Sequence, residues 1–150
     1  MHQVRHLQEL INEVQRCCED KRFYESRKFG IPFTELKTLL LFGDERYLTV
    51  KGIAQRLDVA KSRVTILVNS MLDKGLIDRT DDPRDARIKL LSLTAEGRRI
   101  VSMLDAFHRE IHSEILRQLE PDDRRKVISG LELLRSAMES VKAKLKSGVL

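Results

Sequence analysis

The stretch Leu48-Thr49-Val50-Lys51-Gly52-Ile53-Ala54-Gln55-Arg56-Leu57-Asp58-Val59-Ala60-Lys61-Ser62-Arg63-Val64-Thr65-Ile66-Leu67-Val68-Asn69-Ser70-Met71-Leu72-Asp73-Lys74-Gly75 decides the fold. Val50, Ile53, Ala54 and Leu57 fit the i, i+3, i+4, i+7 spacing of a helix with one buried face. Thr49 stands where a side-chain N-cap belongs. Val64, Leu67, Val68 and Met71 repeat the spacing, and Gly75 sits at the position of a left-handed C-terminal cap. Asp58-Val59-Ala60 leaves room only for a tight connection, so the segment reads as helix, three-residue turn, helix.

Downstream, Leu76–Thr80 and Ile88–Leu93 read as two short strands. The polar turn Asp81-Asp82-Pro83-Arg84-Asp85-Ala86-Arg87 separates them. A β-hairpin placed directly after a helix-turn-helix is a winged helix. Upstream, Val4, Leu7, Ile11, Val14 and Cys18 form one stripe of an N-terminal helix, which Gly30 and Pro32 end. A short helix follows with Phe33, Leu36, Leu39 and Leu40 inward, and Phe42–Arg46 reads as a loop. Thr94 caps a long helix over about 95–119. Pro121, with Asp122 and Asp123, opens a last helix. Its Val127, Leu131, Leu134, Met138, Val141 and Leu145 make a heptad seam. The expected fold is mainly α with a small β-hairpin wing: a winged helix-turn-helix core flanked by N- and C-terminal helices.

Composition narrows the function classes. The chain has 150 residues, 34% charged and 41% hydrophobic, which fits a folded, helix-rich domain. No apolar run approaches the length of a membrane span. The first residues lack the basic-then-apolar order of a signal peptide, so a cytoplasmic location is expected. The net charge is +5, and residues 48–98 hold 10 Lys/Arg against 7 Asp/Glu. The largest excess therefore lies on the winged helix, which suits a polyanionic partner. No nucleophile motif, phosphate-cradling glycine loop or zinc-hydrolase spacing is present, so no catalytic role and no cofactor are expected.

A helix fits the major groove of B-DNA and offers its N-terminal side chains to base edges. With Val64, Leu67 and Val68 inward, Lys61, Ser62, Arg63, Thr65 and Asn69 are left to face outward. At the hairpin tip, Arg84 and Arg87 flank Asp85. A guanidinium on a thin ribbon suits the negative minor groove, and Asp85 can hold Arg87 in one rotamer. The bland alternatives are a solvated helix face and an ordinary polar turn. A winged helix can also serve as a protein-interaction module without reading DNA.

Residues 48–97 resemble the winged-helix core of the MarR family of bacterial transcription regulators. The resemblance rests on Leu48-Thr49-Val50 with Ile53-Ala54 and Leu57, on Lys61–Thr65, and on Lys74-Gly75-Leu76-Ile77. Asp82-Pro83-Arg84-Asp85-Ala86-Arg87 and Leu93-Thr94-Ala95-Glu96-Gly97 carry it most specifically. It implies a single domain over 1–150, with residues 1–30 and 95–150 as a helical dimerisation region and 33–94 as the DNA-binding lobe. It further implies a homodimer, usually a repressor, on a pseudo-palindromic double-stranded operator, and release by a small-molecule effector or another signal. The sequence departs from the family pattern at Ala60, Ile66 and Ser70, where a polar cap, an arginine and a charged residue are common.

Two features of the sequence suggest further inputs to such a regulator. Cys17 and Cys18, beside Arg16, could form a redox-sensing site, but the simpler reading makes Cys18 a small core residue and Cys17 a partly exposed thiol. His2/His6 and His108/His112 each stand at i, i+4 and could share a metal ion. Of these, His108 and His112 are the metal candidates, but no carboxylate or cysteine evidently completes a site, and no metal is assigned.

Overall fold

The computed structural model describes residues 1–149. Among them are six helices and one two-stranded hairpin: α1 His2–Phe29, α2 Phe33–Phe42, α3 Val50–Leu57, α4 Lys61–Asp73, β1 Ile77–Asp81, β2 Lys89–Leu93, α5 Ala95–Arg117 and α6 Pro121–Lys146. The chain divides into two compact units, Met1–Leu104 and Asp105–Leu150, with the division falling inside α5.

In the first unit, local chemistry sets each boundary. Gly30 ends α1 at φ 63°, a left-handed conformation that costs glycine little. Ser26 then donates a 2.7 Å hydrogen bond to the Ile31 carbonyl and fixes the corner into α2. The Thr49 hydroxyl accepts the Gly52 amide at 3.0 Å, as its cap position predicts. Asp58 closes α3 in the left-handed region at φ 55° and makes the turn of the helix-turn-helix short. After α4, the Gly75 amide reaches Leu72 O and the Leu76 amide reaches Met71 O, both at 3.0 Å. These are the two bonds of a Schellman motif, and they turn the chain directly into β1.

β1 and β2 pair antiparallel from Ile77↔Leu93 to Asp81↔Lys89. Leu48 adds a one-residue bridge to Leu91, with bonds of 2.9 and 2.8 Å, so the hairpin is anchored to the segment before α3. Leu36, Leu39, Phe42, Ile53, Val64, Met71 and Leu91 are wholly buried. The buried apolar core of the described residues lies within 31–104. Phe42 is the last residue of α2 and a core side chain, not the first of a loop, because its ring completes the inward stripe begun by Leu36 and Leu39.

Thr94 joins three parts of this unit. Its hydroxyl donates to Gly75 O at 2.6 Å and accepts the Gly97 amide at 3.0 Å. It therefore caps α5 and ties it to the end of α4.

The flanking helices bury little. α1 buries only Glu25, and Val4, Leu7 and Val14 of its stripe are exposed. Cys18, expected in the core, is exposed together with Cys17, since no element of the first unit covers that stretch of stripe. In the second unit α6 has no buried residue; Leu131, Met138 and Val141 on its seam are all exposed. No helix is long and apolar enough to cross a membrane among the described residues.

Candidate nucleic-acid interface

The outward face of α4 carries Lys61, Ser62, Arg63, Thr65 and Asn69, all exposed, opposite the buried Val64, Val68 and Met71. The Thr65 hydroxyl donates to Lys61 O of its own helix at 3.0 Å, leaving its oxygen as an acceptor. The α4 N-cap is Ala60, which offers no side-chain acceptor to the first amides of the helix.

One determinant of α4 was missed from the sequence. Glu35 of α2 is buried, and its carboxylate accepts Ser70 Oγ at 2.5 Å and Lys74 Nζ at 2.6 Å. These bonds fasten the C-terminal half of α4 to α2. Ser70 therefore faces α2 and not the outer surface. The available signal was an acid, Glu35, on the same helix stripe as Leu39 and Phe42. Beside this contact, a cavity of about 550 Å³ opens between α2, the turn and α4. Pro32, Leu57, Val59 and Ile66 line it, with Lys37 and Arg63 as its cationic members.

The wing tip is organised by its two aspartates. Asp82 Oδ1 accepts the Arg84 amide at 2.8 Å, and Asp85 Oδ1 accepts the Arg87 amide at 3.0 Å. These are successive Asx turns, the local geometry that aspartate favours. The Arg87 guanidinium returns to the same carboxylate, Nε to Oδ1 at 3.1 Å and a terminal nitrogen to Oδ2 at 3.3 Å. The arginine is thus held in a two-point pair while its side chain stays 91% exposed. Arg84 is exposed beside it.

The side-chain hydrogen bond from Arg87, and then its backbone amide, lower the Asp85 pKa below its ordinary 3.8. A depressed carboxylate contributes its stabilisation above the unfolded value and loses it as pH falls through the folded one. The pair therefore persists at neutral and mildly acidic pH. A carboxyl-carbon NMR titration should find Asp85 protonating below 3.8, and Arg87→Ala should raise that midpoint. An Asp85 midpoint unmoved by Arg87→Ala would mean that the pair does not form in solution.

The structure thus places the predicted α4 and wing residues in one unit, on an exposed helix face and a preformed hairpin tip. The other candidates do not converge on a site. The rings of His108 and His112 are 6.4 Å apart between centroids. Among the described residues, no group of three or more His, Cys, Asp or Glu could hold a metal ion.

A model of the MarR family matches residues 29–88. The HTH-type transcriptional regulator YfiV of Bacillus subtilis is 26% identical over 121 residues, covering 79% of this chain and 74% of that protein. The structure of a MarR family protein from Bacillus stearothermophilus superposes with a TM-score of 0.81 at 20% identity, over 92% of this chain and 96% of that one. Streptococcus pneumoniae FabT, solved in complex with DNA, gives 0.76 at 24% identity, over 89% and 98%. The two structural likenesses bear on the fold; the matched segment spans the turn, α4 and most of the wing. The similarity to the MarR family is thus carried by the winged-helix segment, residues 29–88.

Proposed function

We propose that the protein is a sequence-specific double-stranded DNA-binding transcriptional regulator, acting as a homodimeric repressor. The observation that carries the reading is the wing tip, where Asp85 holds an almost fully exposed Arg87 in a fixed rotamer. An isolated exposed ion pair adds little to stability, so its orientation matters more for a partner than for the fold. In this reading α4 enters the major groove. Lys61 and the uncapped amides behind Ala60 meet phosphate, while Ser62, Arg63, Thr65 and Asn69 meet base edges. Arg84 and Arg87 approach the minor groove, with Asp85 orienting Arg87.

The exposed seam of α6 and the exposed stripe of α1 support the homodimer, since apolar rows of this kind mark association surfaces. Two copies would set two α4 helices roughly 34–36 Å apart, one turn of a pseudo-palindromic operator. The cavity between α2 and α4 offers a small-molecule effector a place to act, because its wall includes Ile66 and Leu67 of the reading helix.

Arg87→Ala should weaken operator binding by about 1–3 kcal/mol and leave the dimer intact. Fluorescence anisotropy for binding and sedimentation for mass check both parts. Unchanged affinity would remove the wing from the interface.

A further inference from the structure

The outward face of α4 runs Ser62, Ile66, Asn69, Asp73, at i, i+4, i+7 and i+11, and all four are exposed. Ile66 sits at its centre and is 72% exposed, whereas Ile53, Ile77 and Ile100 are buried. A β-branched aliphatic chain with no donor or acceptor cannot bind phosphate. Asp73, on the same face, repels phosphate and confines any groove contact to the first turns of the helix. The polar neighbours of Ile66 on this face, Ser62 and Asn69, are left to hydrogen-bond base edges.

Resting on the DNA-binding reading above, we propose that Ile66 is a specificity-determining residue that reads a thymine through its C5-methyl group. That methyl is the apolar group on the major-groove edge of the base pairs, and aliphatic contact with it is how a side chain without hydrogen bonds discriminates there. Asn69, one turn further along, has the amide that pairs with adenine N6 and N7. The centre of each half-site is therefore an A·T-containing step, with the thymine methyl against Ile66. The competing role for Ile66 is structural: it forms part of the wall of the cavity beside α2. In that role its truncation would change stability or ligand binding without changing base preference.

The test selects binding sites from a random duplex pool with the full-length wild type and with Ile66→Ala. Each thymine of the wild-type consensus is then replaced singly by deoxyuridine, which lacks only the methyl. One thymine per half-site should show a loss of about 4-fold for the wild type, the worth of one buried methyl group. The same replacement should leave Ile66→Ala unaffected, and the Ile66→Ala selection should lose its preference at that position. A consensus that tolerates deoxyuridine at every thymine, or an equal loss in both proteins, overturns the assignment while leaving DNA binding standing. Failure of the wild type to enrich any sequence overturns the DNA-binding reading and the role of Ile66 with it. Thermal melting of Ile66→Ala should match the wild type, as expected for so exposed a side chain.

Discussion

Gly97→Ala should destabilise the winged-helix lobe by about 3 kcal/mol or more, beyond the usual effect of overpacking. A Cβ at Gly97 would lie 2.1 Å from the Leu76 carbonyl oxygen and 3.3 Å from a Leu93 methyl. The first neighbour is backbone, held by the Leu76 amide bond to Met71 O and by the Thr94 amide that Leu76 O accepts. It cannot move without opening the Schellman turn, the start of the hairpin and the cap of α5 together. The melting temperature should fall by roughly 10 °C in calorimetry. Gly130→Ala supplies the contrast, since nothing lies within 4 Å of its added Cβ. There the helix propensity of alanine should raise stability, by up to about 1 kcal/mol. Equal effects at the two glycines would mean that Gly97 is not packed against Leu76.

Leu131→Glu combined with Met138→Glu should convert a dimer into a monomer of 17.4 kDa. Both side chains are exposed, 57% and 51%, and lie on the α6 seam. Their replacement therefore leaves the packing of the single chain almost untouched. Burying two carboxylates per chain against an apolar partner, in contrast, carries a penalty of several kcal/mol each. Operator affinity should fall roughly 10²- to 10⁴-fold, because the second half-site no longer binds as an intramolecular event. Analytical ultracentrifugation and anisotropy read the two effects separately. A double variant that stays dimeric would move the association surface off this seam.

Much of the lobe was legible because its local chemistry is repetitive and cheap to recognise. The paired i, i+3, i+4, i+7 patterns, the Thr49 and Thr94 caps and the left-handed Gly75 all depend on residues within one turn of each other. The wing was legible for the same reason, since Asp85 and Arg87 meet across two residues. What escaped depends on contacts distant in sequence. Glu35 lies 35 residues from Ser70 and 39 from Lys74, and no spacing rule links them. The cavity beside α4 is likewise a product of packing among three separate segments. Cys18 follows the apolar spacing of its helix, but periodicity shows that a stripe exists and not what covers it. Ile66 departs from the family pattern in the sequence, but its exposure on the α4 face is visible only in the structure.

Operator recognition is tested by an anisotropy titration of the purified protein against DNA from its own promoter region, with scrambled duplex as competitor and salt varied. A sequence-specific regulator should bind the promoter in the presence of the competitor, with a log–log salt slope of about −5 or steeper, near −0.9 for each phosphate engaged. Equal affinity for promoter and scrambled DNA, or no binding to either, would contradict operator recognition and leave a winged helix that docks something other than an operator.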